Sequence, residues 1–189
     1  MKQVKIAGKQ LLVGKKKIPL LSGEVHYWRL EPEKWGVILD RVKETGLEII
    51  ATYVPWFFHE YTKGKFDFTG RTSERRNLDK FLRLAKMKGL WVIIRPGPYI
   101  NAECTHEGLP EYIAKYYSLH PRFLESAGRY IKEACKFIVP HQATQNGTII
   151  LCQADNEISP QVHHYRNQLG LGKKRGIFQD FVKEKYSSI

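Results

Sequence analysis

The chain is poor in cysteine, and what it has is ill placed for structural chemistry. Cys104, Cys135 and Cys152 are odd in number and far apart among 189 residues. That excludes a disulfide framework and CxxC metal spacing. No apolar run approaches the roughly 20 residues a membrane-spanning helix requires. The opening stretch, MKQVKIAGKQLLVGKKKIPLL, is basic and has no long apolar core, so it does not read as a secretory signal. Glycine-rich phosphate loops are missing too. Neither GxGxxG nor GxxxxGK[ST] occurs, which removes the main support for a nucleotide-binding sheet. Together these absences point to a reducing, cytoplasmic chain with no membrane partner.

Acid is the scarcer charge. The 31 Lys+Arg outnumber the 19 Asp+Glu, a net charge of +12. Such an excess raises nucleic acid as a partner. Its distribution argues otherwise. Lys2, Lys5, Lys9, Lys15, Lys16 and Lys17 crowd the start, no acid precedes Glu24, and the remaining cations spread along helix faces. No helix-turn-helix, zinc-finger, RNP or KH signature accompanies them. A lysine-rich solvated surface is the reading adopted, with no nucleic acid as partner.

Four ten-residue segments share one plan: IPLLSGEVHY (18–27), LEIIATYVPW (47–56), LWVIIRPGPY (90–99) and TIILCQADNE (148–157). Each opens apolar and closes polar or aromatic. Continuous apolar runs suit parallel strands buried on both faces. The spacers carry the crossover helices that parallel strands need. Pro32, the stripe Trp35–Ile38–Leu39–Val42 and Gly46 predict one. Asn77, the stripe Leu78–Phe81–Leu82–Ala85 and Gly89 predict another. A third has Leu124, Ala127, Ile131, Ala134, Cys135 and Ile138 on one face and ends at Pro140. GIFQDFVKEKY predicts a short helix near the C-terminus. The order β-α-β-α-β-α-β fits an open doubly wound sheet or a (β/α) barrel. In a barrel, function gathers at the C-terminal strand ends. Glu24, His26 and Tyr27, Tyr53 and Trp56, Arg95 and Tyr99, and Asn156 and Glu157 fall there.

GEVHYWR, ATYVPWFFHE followed by GKFDF, GLWVIIRPGPYINAE, EGLPEYI and QADNEI occur in that order. Together they resemble the N-terminal half of the catalytic barrel of glycoside hydrolase family 35, the β-galactosidases. Family 42 is the neighbouring candidate. The resemblance implies an α/β fold, a TIM-type (β/α) barrel with about its first four β/α units present. A complete barrel typically takes about 250 residues. It divides the chain into a basic, hairpin-like segment (1–17), a partial barrel (18–159) and a basic tail with a short helix (160–189).

The implied chemistry is retaining hydrolysis of a β-galactoside or related oligosaccharide. Two carboxylates about 5–5.5 Å apart serve as acid/base and nucleophile. The resemblance gives Glu157 as acid/base and Asn156 as the contact to the sugar 2-OH. Tyr53, Ile100, Asn101, Ala102 and Glu103 would line the galactose pocket. Many members have Cys where this chain has Asn101, and a glycine is usual where it has Glu107. The family often has Glu-Asn-Glu where this chain has Asp155-Asn156-Glu157. The family's nucleophile, a glutamate ending the seventh strand, has no matching residue, and none is assigned. A second chain supplying the missing half-barrel, or self-association, is therefore an expected partner. No metal or organic cofactor is implied. The alternatives are a carbohydrate-binding remnant without turnover and, on charge alone, a nucleic-acid scaffold.

Other residues have simpler expected roles. Asp155 is expected to bond strand-end backbone or a basic neighbour, and Arg95 to hold a carboxylate. His26 suits a sugar contact or a satisfied histidine equally. Tyr27, Trp28, Trp56 and Tyr99 are expected to cap the core rather than stack on sugar. Cys135 and Cys152 are expected in the core. His163 and His164 are expected in a solvated loop.

Overall fold

A computed structural model describes residues 2–8, 10–116, 118–157, 169–170 and 172–186; His163 and His164 lie outside them. The chain divides into two compact units, Met1–Asn156 and Glu157–Ile189. In the first, β1 (Val4–Ala7), β2 (Gln10–Val13) and β3 (Lys16–Ile18) form an antiparallel sheet. Side chains alternate along β2, so Leu11 and Val13 point inward while Gln10 is exposed. With Ile18 they pack on Ile49, Ala143 and Ile150.

The main sheet starts at β4 (Ser22–Glu24). A 3-10 turn opened by Pro32 leads into α1 (Trp35–Glu44), which ends before Gly46 at φ 86°. The next strand, β5 (Ile49–Tyr53), is buried at every position. Its polar end runs into the one-turn helix α2 (Trp56–His59) and a hairpin of β6 (Glu60–Thr62) and β7 (Lys65–Phe66). Then α3 (Leu78–Met87) begins where the Asn77 side chain accepts from the Lys80 N–H at 2.9 Å. After β8 (Trp91–Gly97) come the short α4 (Glu111–Ala114) and the long α5 (Pro121–Ile138). The last strand is β9 (Ile149–Ala154). In the second unit, α6 (Ile177–Tyr186) is joined to the preceding turn by Gln179, whose amide donates to the carbonyls of Gly170 and Lys173.

The strands lie in the order β4-β5-β8-β9, all parallel. Sequential strands are thus spatial neighbours, each joined by a helical crossover, and all four C-terminal ends share one edge. This is an α/β fold. Ile50, Val92 and Ile94 meet Trp35 and Leu39 of α1, Phe81, Leu82 and Ala85 of α3, and Tyr130, Ala134 and Ile138 of α5 in one core. Burying a large apolar side chain contributes roughly 1.5–3 kcal/mol, so this helix layer is what holds the strand ends in place.

Two expectations are corrected. On α5 the buried stripe runs through Phe123, Ala127 and Tyr130, and Leu124 is 52% exposed. Pro121 starts the helix, and in that phase Phe123 rather than Leu124 turns inward to stack on Tyr99. Cys152 is exposed rather than in the core. Only Ile149 and Ile150 of β9 are buried, because β9 is a sheet edge among the described residues. No helix among those residues is long and apolar enough to cross a membrane.

Candidate active site

Arg95 is the hub of the C-terminal edge. It ends the regular part of β8, and its guanidinium donates to two neighbours. One N–H group meets a Glu24 carboxylate oxygen, from the end of β4. The other meets Asn156 Oδ1 at 2.5 Å, just past β9. The guanidinium also lies 4.0 Å from the centre of the Tyr53 ring, at the end of β5. One planar cation therefore ties together groups from all four strands, a role suited to the fixed fork of arginine.

The Asn156 amide is held at both ends. Its oxygen accepts from Arg95 and, at 3.2 Å, from Gln153, while its nitrogen donates to the Ile100 carbonyl at 2.9 Å. Asp155 accepts from the Tyr99 N–H at 2.9 Å. Burial raises the Asp155 pKa, and that hydrogen bond opposes the rise. His26 stands 3.3 Å from Glu24 and packs its ring on Trp28 and Tyr53. Its pKa is lowered, first by burial, with Arg29 and Arg95 adding to the effect and Glu24 opposing it. The imidazole is thus biased toward its neutral form. Among the described residues, His26 Nδ1, Trp28 Nε1 and Arg95 Nε are buried without a hydrogen-bond partner. Such groups are uncommon and call for an explanation.

The loop after β8 owes its shape to backbone conformation. Asn101, Ala102, Glu103, His106 and Glu107 all have φ between 50° and 56°. The Glu107 carbonyl accepts from the N–H groups of Ile100 and Asn101, closing the loop. Arg29 reaches across to the Ala102 carbonyl at 2.5 Å. At Gly108, φ is 87° and a Cβ would stand 2.3 Å from the Ile100 side chain, so glycine is required there.

The structure therefore brings Tyr53, Asn156 and the Ile100 carbonyl to one place. Tyr53 and Ile100 are buried there, so what Ile100 turns toward Asn156 is backbone. Asn101, Ala102 and Glu103 follow in the loop, and Glu103 is close enough to His26 to act on it electrostatically. Glu157 comes next after Asn156, is exposed, and has φ 56°. Tyr27 and Trp56 are fully buried core residues, and Trp28 and Tyr99 are also buried.

Sequence reasoning missed a buried scaffold under this edge. The Tyr27 hydroxyl is 2.5 Å from His59 Nε2, whose other ring nitrogen lies 2.6 Å from the Asp67 carbonyl. Glu60 accepts from Trp56 Nε1 at 2.5 Å and from the Tyr112 hydroxyl at 3.0 Å. The Asp67 carboxylate collects N–H groups from Thr69, Gly70 and Thr72. Burial would raise its pKa, but hydrogen bonds from Thr72 and Thr69 outweigh that and hold it well below the usual carboxylate range. The signal was present in the FFHE and GKFDF motifs. Polar residues embedded in aromatics are in most cases buried with hydrogen-bond partners.

This edge coincides with a match across almost the whole chain. The sequence profile of glycosyl hydrolases family 35 matches residues 10–188. The chain belongs to that family. Among relatives, β-galactosidase 13 of Arabidopsis thaliana is 38% identical over 172 residues, covering 87% of this chain and 20% of the relative. A β-1,2-glucosyltransferase of Ignavibacterium album is 33% identical over 190 residues, covering 90% of this chain and 26% of the relative. The family 35 chain thus spans about a fifth to a quarter of the length of these curated relatives. Among solved structures, the exo-β-1,4-mannosidase Op5Man5 from Opitutaceae bacterium strain TAV5 superposes with a TM-score of 0.61 at 15% identity, over 80% of this chain and 26% of that one. At that identity the likeness is one of fold.

Proposed function

We propose that this family 35 chain forms the first four β/α units of a TIM-type glycosidase barrel and carries the acid/base half of a retaining β-galactosidase site. The observation that carries the reading is the Arg95 hub, which gathers Glu24, Tyr53 and Asn156 at the C-terminal strand ends. Ligand-handling groups of (β/α) barrels stand at that edge. Glu157, next in the chain to the doubly held Asn156, is the acid/base that protonates the glycosidic oxygen and then activates water. Asn156 offers its remaining amide N–H to the sugar 2-OH, and Glu103 accepts from sugar hydroxyls. No nucleophile is assigned among these residues. Support for a hydroxyl-rich ligand comes from His26 Nδ1, Trp28 Nε1 and Arg95 Nε, which have no hydrogen-bond partner among the described residues.

The naming of one relative as a glucosyltransferase favours a second reading, in which a sugar hydroxyl takes the place of water as acceptor. A third reading is galactoside binding without cleavage. Titration with methyl β-galactoside, followed by NMR, tests the site itself. Binding should weaken at least fivefold in Asn156→Ala and in Arg95→Met. Equal binding by wild type and both variants would place the sugar elsewhere.

A further inference from the structure

A polar cavity of about 470 Å3 lies away from the Arg95 hub. Its residues come from two connections that leave C-terminal strand ends: the β6–β7 turn after β5, and the α4–α5 region after β8. On the first two turns of α5, Arg122, Glu125, Ser126 and Arg129 follow the i, i+3, i+4, i+7 spacing that puts them on one helix face, and all four line the cavity. Lys63 and Lys115 add two further cations, and Tyr112 and Tyr116 supply half-buried aromatic walls.

The charges here are unbalanced. Arg129 faces Glu125 at 3.9 Å and bonds Ser126. Among the described residues, no carboxylate pairs with Lys63, Lys115 or Arg122. Instead each lies against an aromatic ring: Lys63 is 5.1 Å from the centre of Tyr112, Lys115 is 5.4 Å from that of Tyr116, and Arg122 is 5.8 Å from Tyr116. Arg122 also donates to the Tyr116 hydroxyl at 2.8 Å. Three cations thus converge on two tyrosines with no acidic partner among the described residues. The volume falls within the ordinary range of small-ligand pockets. Solvated lysines elsewhere on the chain, such as Lys15 and Lys17, have no such walls.

We propose that this cavity is a subsite for a saccharide unit bearing an anionic substituent, sulfate or carboxylate. Arg122, Lys115 and Lys63 hold the anion, and the tyrosine walls pack on the sugar. The inference deepens the glycosidase reading and rests on it for the choice of a saccharide.

The test is calorimetric titration of the full chain with a sulfated disaccharide, a uronate disaccharide, their neutral counterpart and inorganic sulfate. At least one charged disaccharide should bind tenfold or more tightly than the neutral one, and than sulfate alone. Lys115→Ala and Arg122→Ala should each reduce that preference at least threefold. Arg122→Lys should restore part of it, and the Lys15→Ala/Lys17→Ala control should leave it unchanged. Equal affinity for charged and neutral sugars would overturn the proposal. So would an equal loss in the control, which marks unspecific charge, or inorganic sulfate binding as tightly as the sugars. The two readings fail separately. Absent hydrolysis with the charged-sugar preference intact removes only the glycosidase reading, and hydrolysis without that preference removes only this subsite.

Discussion

Arg95 sits at a point where deletion leaves several partners stranded. Removing its guanidinium takes one partner from the Glu24 carboxylate, which His26 also faces, and one from the Asn156 amide oxygen, which Gln153 also meets. Losing a charge-assisted hydrogen bond typically costs about 1.5–3 kcal/mol. Arg95→Met should therefore lower the unfolding free energy by about that much in urea titrations. A double-mutant cycle with Asn156→Ala should show coupling, whereas additive losses would mean that the contact does not bear on stability. Glu107 offers the opposite case. At φ 56° it occupies a backbone region that disfavours side chains. Glu107→Gly should raise stability by about 0.5–1 kcal/mol, read as an increase in Tm, because relieved strain exceeds the added chain entropy. No change, or a decrease, would show that Glu107 is held by compensating contacts.

At the scale of elements, the corner from β5 through α2 to β7 is the least expected part of the fold. His59 is fully buried between the Tyr27 hydroxyl and the Asp67 carbonyl, and burial drives its pKa from 6.5 down to about 4. The histidine is neutral in the folded chain and takes up a proton more readily when unfolded. Stability should therefore be fully present above about pH 6.5 and decline as the pH falls toward 4. Thermal melts across that range should show the slope, and His59→Gln should flatten it. The same slope in the variant would assign it to other groups. This corner also shows what a sequence can and cannot convey. Asn77, Gly46 and Gly89 bound their helices through local chemistry, which a sequence displays directly. So do the apolar runs of β5 and β8. Which polar residues turn inward depends on contacts between distant segments, such as Tyr27 with His59 or Arg95 with Asn156. Periodicity does not encode those, so the strand ends were legible as one shared edge and Arg95 as the holder of a carboxylate, while the bond from Arg95 to Asn156 was not. Leu124 was misplaced for a related reason: two adjacent apolar residues, Phe123 and Leu124, leave the helix phase undecided until α5 packs on Tyr99.

At the scale of the molecule, the four-stranded parallel sheet has β4 and β9 as its two edges among the described residues. Leu20 and Leu21, just before β4, are 68% and 66% exposed, and Cys152 to Ala154 of β9 are exposed as well. Unpaired parallel edges flanked by apolar surface favour pairing with further strands. Sedimentation of the chain should accordingly show concentration-dependent association, and a monomer at every concentration would contradict it. The central claim is that Glu157 is the acid/base, and hydrolysis of lactose at high protein concentration tests it most directly. Lactose has a poor leaving group, so cleavage depends on a proton donor, an effect typically worth about 10²–10⁴-fold. NMR of the anomeric protons, with wild type and Glu157→Gln side by side, should show β-galactose released first by wild type and at least a hundredfold less by the variant. Release at equal rates by the two proteins would contradict the account.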